Sequence, residues 1–349
     1  MFLVACCTSL FDPATRGAIA EQVRSVDFAN LMKVAKRHRV EGLLWNALRS
    51  AGIETDAPEL VPLAAAACAI AQQGLRASTE SARIQSVFAA AGVDLLFLKG
   101  LAIGQLAYGN AFVKMSWDID VMVAPDDVGR AANLIEALNY RCVTPAGDRA
   151  SFERWHVANK ESVWQSDDGL RHVELHSRLT DNPRLIPTID MDSPRQMVVI
   201  VPGIALPTLA TDELFAYLCV HGASSAWFRL KWVTDFAGLL SHRDAVEIER
   251  LYRSSQSLGA ARAAAQALMV TDALFGLPLS TGLREELGRS VANRWLAAAA
   301  LRELASPREP TARPLGTVMI HLTQLLLKPD ASFHWHELRR QVHVALATR

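Results

Sequence analysis

Cysteine and excess charge of one sign are both scarce in this sequence. The five cysteines are scattered and form no Cys-x-x-Cys pair, which argues against a disulfide framework and a cysteine zinc cluster. Lysine plus arginine and aspartate plus glutamate both number 36, so the formal net charge is zero. Because proteins that bind phosphate backbones usually carry a basic excess, non-specific nucleic-acid binding is disfavoured as the main role.

Long apolar runs and a basic leader are also lacking. The longest apolar runs, 61–71 and 296–301, are too short to span a bilayer. The first residues carry none of the positive charge expected of a signal peptide. We therefore expect a soluble, cytoplasmic protein with reduced thiols and no membrane partner.

Helical patterns dominate both ends of the chain. The length of 349 residues predicts about two domains, or one domain with a large appendage, and the 50% hydrophobic share is enough for a sizeable core. Apolar residues recur at helical spacing from 28 to 48, an alanine-rich helix should begin at Pro58, and a third should cover about 78–91. From residue 211 onward the pattern is helical again. The sequence predicts helical regions at 1–90 and 183–349.

The middle of the chain, 91–182, has a different pattern. Apolar run 93–98 and alternating segment 118–123 are typical of strands, and a hairpin is expected from 162–165 and 172–176. Helices are expected at about 101–107 and from 125–127 to about 138. We predict an α+β, mostly helical fold in which a small mixed sheet is flanked by the two helical regions.

Two aspartates stand two positions apart on one of these strands. Asp118 and Asp120 should face the same side of the sheet, where two like charges repel unless a cation neutralises them. Carboxylate oxygens in this arrangement suit Mg²⁺ or Mn²⁺. An isolated pair of this kind is more often a solvated strand face. If repulsion dominates, replacing both by asparagine should leave the metal-free protein at least as stable.

Nearby polar residues favour a functional site. Lys99 and Gly100 end the preceding strand, where glycine lets a phosphate approach the backbone and lysine neutralises it. Lys114 could pair with a phosphate or with the carboxylates, and Glu174 lies on an apolar strand beside His176. A single lysine is most often solvated, and a single histidine is as often packed as functional. Together they predict a phosphate and metal site.

The same residues carry a family resemblance. The chain resembles the uncharacterised nucleotidyltransferase family of the polymerase-β-like superfamily over about 25–245. The matching segments are 35–40, 98–102, 118–123, 173–176 and 227–235, with Tyr108, Lys114 and His221. A strand that ends in glycine, a pair of aspartates and an acid on a later strand form a combination that is moderately specific for this family.

The resemblance implies a metal-dependent transfer of a nucleoside monophosphate from an NTP to an acceptor hydroxyl. Asp118 and Asp120 would be the paired metal ligands, and Glu174 the third carboxylate, as ligand or as general base. The cofactor would be Mg²⁺ or Mn²⁺, with the NTP as co-substrate. Lys99, Gly100 and Lys114 would bind the nucleotide, and 91–182 would be the nucleotidyltransferase core.

The segment from 221 to 235 has two interpretations of equal weight. It is either an amphipathic helix with a solvated charged face or a wall that closes over the base or the acceptor. Under the second interpretation this segment supplies the candidate acceptor or nucleotide contacts His221, Arg229, Lys231 and Asp235. His176, on the predicted strand 172–176, is a further candidate contact.

Two alternatives to transfer stay open. A catalytically degenerate member would bind a nucleotide or a peptide without chemistry, and a phosphohydrolase would use the same carboxylates on water. The acceptor is also unidentified, since a small molecule, a peptide, a protein or an RNA end could supply the hydroxyl.

Overall fold

The N-terminal region is helical, as predicted. The computed structural model describes residues 1–54 and 57–347, with side chains to 342. Its five helices are α1 (Phe2–Thr8), α2 (Arg16–Gln22), α3 (Phe28–His38), α4 (Glu41–Ser50) and α5 (Val61–Ala90), and short 3-10 turns lie in every connection except that between α3 and α4. Asp27 begins α3 by accepting a hydrogen bond from the Asn30 N–H at 3.0 Å, and its C-cap Arg39 adopts the left-handed conformation at φ 56°.

Helix α5 replaces the two helices expected between Pro58 and residue 91. It runs unbroken for 30 residues, because its one internal glycine, Gly74, packs against Phe112 rather than ending the helix. A Cβ at Gly74 would lie 2.9 Å from the Phe112 ring. Segment Pro58–Ala90 is also long and apolar enough to cross a membrane, with 33% of its most apolar window buried. Core helices of soluble proteins meet the same criterion, so the absence of a membrane partner stays a prediction.

A five-stranded mixed sheet occupies the middle of the chain. In chain order, the strands of the sheet and the helices between them are β1 (Leu96–Phe97), α6 (Leu101–Tyr108), β2 (Ile119–Met122), α7 (Val128–Ala137), β3 (Tyr140–Thr144), α8 (Arg149–Ala158), β4 (Glu161–Ser166) and β5 (His172–His176). The strand order is β1-β2-β5-β4-β3, and β2 and β5 are parallel while the other neighbours are antiparallel. The predicted mixed sheet is confirmed; β3 and α8 were not predicted.

A two-stranded hairpin lies where only helices were expected. Strands β6 (Arg195–Val201) and β7 (Ile204–Leu209) pair antiparallel around Gly203, whose φ is 86°. Val198, Ile200 and Leu206 join the apolar cluster that covers the five-stranded sheet. The hairpin forms because these buried residues alternate with exposed ones along the chain.

From Thr211 to Ala347 the described chain is mainly helical. It comprises α9 (Thr211–Ser224), α10 (Leu230–Leu240), α11 (Ala245–Ser257), α12 (Ala261–Phe275), α13 (Thr281–Arg289), α14 (Val291–Ala305), α15 (Val318–Leu326) and α16 (Ala331–Ala347). Helix α10 begins at 230 rather than at the expected 227, because Ala226 and Trp227 have positive φ angles of 48° and 51°. Across the described residues the fold is therefore α+β and mostly helical, as predicted. The three-region division stays a prediction.

Candidate active site

Parallel pairing of β2 and β5 brings two carboxylates together. In the register of these strands Asp120 pairs with Glu174, and Met122 pairs with His176. Ile119 and Val121 point into the apolar cluster below the sheet, so the alternation of the strand directs Asp120 to the other face. Asp118 directly precedes β2 and lines the same cavity, half-buried.

Asp120 is neutralised within the protein. Lys99 Nζ lies 2.7 Å from Asp120 Oδ1, and His176 Nε2 lies 3.3 Å from the same oxygen. Burial disfavours ionisation of Asp120, but the attraction of Lys99 and His176 outweighs it and holds the pKa well below its usual range. The same pair overcomes the burial of Lys99 and raises its pKa well above the ordinary lysine value. Repulsion between Asp118 and Asp120 therefore does not dominate the metal-free site.

His176 lies at the centre of the acidic residues. Its Nε2 is 3.3 Å from Glu161 Oε2 and 3.6 Å from Glu174 Oε2, in addition to the contact with Asp120. Burial and Lys160 act to lower the pKa of His176, yet the three carboxylates raise it overall. The other ring nitrogen, Nδ1, is buried with no hydrogen-bond partner among the described residues. His176 is thus a candidate member of the site.

Glu161 was missed by sequence reasoning. It is the first residue of β4, where the antiparallel register places it opposite His176, and it lines the cavity beside Lys160. Lys160 forms an ion pair with Glu161. The predicted strand began at residue 162, one residue after the observed start of β4. Glu161 was therefore not included in the alternating pattern that could have identified it.

Glu174 carries the least compensated charge of the acidic residues in contact with His176. Burial raises its pKa to about 7, with Asp120 and Asp118 adding to the effect. Ligand atoms of Asp120, Glu174 and His176 all lie within 4.8 Å of one another. Carboxylate oxygens are the ligands that Mg²⁺ and Mn²⁺ prefer, and two of the three residues of this cluster supply them. A cation there would relieve the charge on Glu174, so the residues fit a metal.

Gly100 shapes the edge of the cavity. It is the N-cap of α6 with φ 63°, and a Cβ at this position would lie 2.8 Å from Ser116 Oγ. Ser116 Oγ in turn donates to the backbone oxygen of Asp118 at 3.1 Å. Only glycine accommodates this conformation and the close approach of the loop before β2.

Lys114 and Asp235 belong to a buried network. Lys114 Nζ lies 2.8 Å from Asp235 Oδ2, and Tyr108 OH donates to Asp235 Oδ1 at 2.8 Å. Lys231 Nζ donates to the backbone oxygen of Met115 at 2.8 Å. These contacts fasten α10 to the loop before β2, and they leave Lys114 engaged with a carboxylate of the protein.

The predicted residues of 221–235 face the same cavity. Arg229 donates to both carboxylate oxygens of Glu309 at 3.0 and 2.9 Å, and its guanidinium lies 5.3 Å from the Trp232 ring centre. The His221 ring contacts Trp232 edge-on at 5.5 Å. Burial, aided by Lys99 and Lys160, holds the pKa of His221 well below its usual range, so the ring is neutral at pH 7.

One cavity of about 230 Å³ unites these groups. Its lining includes Lys99, Gly100, Lys114, Asp118, Asp120, Glu161, Glu174, His221, Arg229, Lys231 and Asp235. His176 contributes from beneath, through its contacts with the carboxylates.

The chain also matches a family model described as an uncharacterised nucleotidyltransferase, over residues 24–276. The match includes the whole five-stranded sheet, the β6-β7 hairpin and helices α9 to α12. No curated protein matches the chain.

Proposed function

Because the chain belongs to the uncharacterised nucleotidyltransferase family, we propose that it moves a nucleoside monophosphate from an NTP to a hydroxyl of an acceptor. The acceptor would be a small molecule, a peptide or a protein. The observation that carries this proposal is the in-register pairing of Asp120 with Glu174, in one cavity with Asp118, Lys99 and Gly100. The five free cysteines fit the cytoplasmic location that we propose for it.

Asp118, Asp120 and Glu174 would hold the metal, and His176 contacts the carboxylates of Asp120 and Glu174. A divalent cation at this position supplies charge neutralisation for the phosphates and acidifies a nearby hydroxyl. We assign Glu174 to the metal rather than to proton abstraction, because its carboxylate lies in register with Asp120 and shares His176 with it.

The remaining cavity residues would bind and orient the nucleotide. Lys99 presents an ammonium at the cavity wall, where it can attract phosphate oxygens. The absence of a side chain at Gly100 lets a phosphate approach the first turn of α6, whose N-terminal N–H groups favour anions. Trp227 and Trp232 line the wall formed by α10 and the turn before it, and exclude water from the same cavity.

The test is transfer of label from each α-labelled NTP, with Mg²⁺, to a component of a cell extract. The parent should label an acceptor, and Asp118→Asn and Asp120→Asn should lose nearly all of this activity. Glu136→Gln is the matched control, because Glu136 is an exposed acid on α7 away from the cavity.

Other outcomes identify the alternatives. Release of nucleoside monophosphate without any labelled acceptor would indicate a phosphohydrolase. Mg²⁺-dependent NTP binding without either product would indicate a catalytically degenerate binder. Full activity in either aspartate variant would show that the reaction takes place elsewhere.

A further inference from the structure

Most charged groups of the cavity are paired within the protein. Four of its cations have a carboxylate partner within 4.0 Å: Lys99 with Asp120, Lys114 with Asp235, Lys160 with Glu161, and Arg229 with Glu309. These four pairs stabilise the cavity and leave little unbalanced charge at their own positions.

Two further cations of the cavity, Arg39 and Lys231, have no such partner. No carboxylate among the described residues lies within 4.0 Å of either side chain, although both line the cavity. Arg39 is the left-handed C-cap of α3, and Lys231 lies in the first turn of α10. The only hydrogen bond of the Lys231 ammonium to a described residue is to the neutral backbone oxygen of Met115.

The two cations are held at a free-energy cost. Burial lowers the pKa of Lys231 to about 7, and repulsion from Lys114 adds to the effect, against a smaller opposing attraction from Asp235 and Asp118. Burial and repulsion from Arg229 also lower the pKa of Arg39, although Glu309 and Asp118 act in the opposite direction. A partly buried cation without an anion destabilises the protein, so this arrangement is typical of a position that a ligand neutralises.

We propose that Arg39 and Lys231 form an anion subsite that holds a phosphate group of one of the reactants. The inference rests on the proposed function, and it adds Arg39, from the N-terminal helices, to the residues that contact substrate. Arginine suits this role because its planar guanidinium can donate two hydrogen bonds to one phosphate, and the lysine ammonium adds a compact positive charge.

The unpaired acids of the cavity complement the unpaired cations. Asp118 and Glu174 have no lysine or arginine within 4.0 Å among the described residues. The cavity therefore offers two carboxylates without a basic partner and two cations without an acidic one. A ligand that combines a divalent cation with a phosphate would satisfy both. That phosphate belongs either to the NTP or to a phosphorylated acceptor.

The test compares Arg39→Met and Lys231→Met with the parent by calorimetric titration of the full chain. The first probe is Mg²⁺ with tripolyphosphate. The second probe is inorganic phosphate in the presence of a saturating non-hydrolysable ATP analogue. Each substitution should weaken one probe roughly ten- to a hundredfold, the effect of losing one charge-assisted contact. Lys33→Met is the control, since Lys33 is an exposed lysine on α3, the helix that Arg39 caps.

The two probes separate the two sources of phosphate. Weaker tripolyphosphate binding assigns the subsite to the NTP, whereas an effect confined to inorganic phosphate assigns it to the acceptor. Unchanged binding of both probes in both variants, or no binding of either probe by the parent, overturns the proposal. If the parent binds a probe through these residues but transfers no nucleotide, the subsite stands and the proposed function fails.

A stability measurement distinguishes ligand binding from a structural role. Without anions, Lys231→Gln should raise the melting temperature because it removes an unpaired charge and keeps a hydrogen-bond donor, and tripolyphosphate or phosphate should stabilise the parent more than the variant. A lower melting temperature in both Lys231→Met and Lys231→Gln, which keeps a donor for Met115, would show that the ammonium is structural and overturn the proposal.

Discussion

Asp120→Asn should destabilise the metal-free protein, whereas Asp118→Asn should not. The two aspartates stand two positions apart and line the same cavity, but only Asp120 forms an ion pair with a lysine among the described residues. Replacing Asp120 leaves the Lys99 ammonium without its carboxylate. Replacing Asp118 removes a half-buried charge that has no such partner.

The expected cost follows from the burial of the pair. The side chains of Lys99 and Asp120 are 18% and 2% exposed, and their charged atoms are 2.7 Å apart. Removing one partner of a buried pair costs about 3–5 kcal/mol. Water can reach part of Lys99, and an asparagine oxygen can still accept a hydrogen bond from His176. We therefore expect about 3 kcal/mol for Asp120→Asn, against a change within about 0.5 kcal/mol for Asp118→Asn.

The assay is urea unfolding at pH 7 with a chelator, followed by circular dichroism. The midpoint of Asp120→Asn should fall while the slope of the free energy against urea stays constant. The double variant Lys99→Met, Asp120→Asn should recover most of the loss, because it no longer contains the uncompensated ammonium. The non-additivity of the two changes measures the coupling between the two side chains.

Repulsion between the aspartates makes the opposite prediction. If like-charge repulsion controlled the metal-free site, both single variants would be at least as stable as the parent, and the double variant Asp118→Asn, Asp120→Asn more so. Equal effects of Asp118→Asn and Asp120→Asn, or stabilisation by Asp120→Asn, would refute the ion pair as the source of stability.

Three other substitutions test the site and its support. Glu174→Gln should lower kcat far more than it weakens NTP binding, because it removes charge next to the reacting phosphate; normal turnover with weak binding in steady-state kinetics would make Glu174 a nucleotide ligand. Burial, with repulsion by a nearby arginine, lowers the pKa of His38 to about 4 from 6.5. The unfolded chain therefore takes up this proton first as the pH falls, and about 3 kcal/mol of stability should be lost between pH 6.5 and 4. His38→Asn, which keeps an acceptor for the Leu230 N–H, should show a weaker acid dependence in pH-resolved urea melts. Gly100→Ala should cost about 1–3 kcal/mol because of its positive φ and the 2.8 Å approach to Ser116 Oγ, so a melting temperature equal to that of the parent would contradict the backbone conformation.

The carboxylate strands could be predicted because their patterns are local. The alternation of Asp118 to Val123 fixes which side chains share a face, and an acid between Val173 and Leu175 has to face a polar environment. The structure confirms both strands and adds that they pair in register, which these patterns alone do not show. A period of two residues can be read without knowing which strands are neighbours.

The partners of the charged residues could not be predicted, because they are distant in sequence. Arg229 meets Glu309 across 80 residues, and His176 meets Asp120 across 56. The same limit led to the expectation that the aspartates repel each other, since nothing local shows that Lys99 reaches Asp120. Arg39 was not predicted as a site residue for a similar reason, because its place in the cavity depends on how α3 packs against the rest of the chain.

The cavity draws on all three predicted regions of the chain. Arg39 comes from 1–90, the carboxylates of the metal cluster come from 91–182, and Lys231 comes from 183–349. The N-terminal and C-terminal helices also share one apolar core, in which Leu44 and Val220 are both fully buried. The flanking helices therefore complete the site as well as the core. A fragment limited to the sheet would keep the candidate metal ligands but lose both cations of the proposed anion subsite, so under the proposed function substrate binding requires the assembled chain.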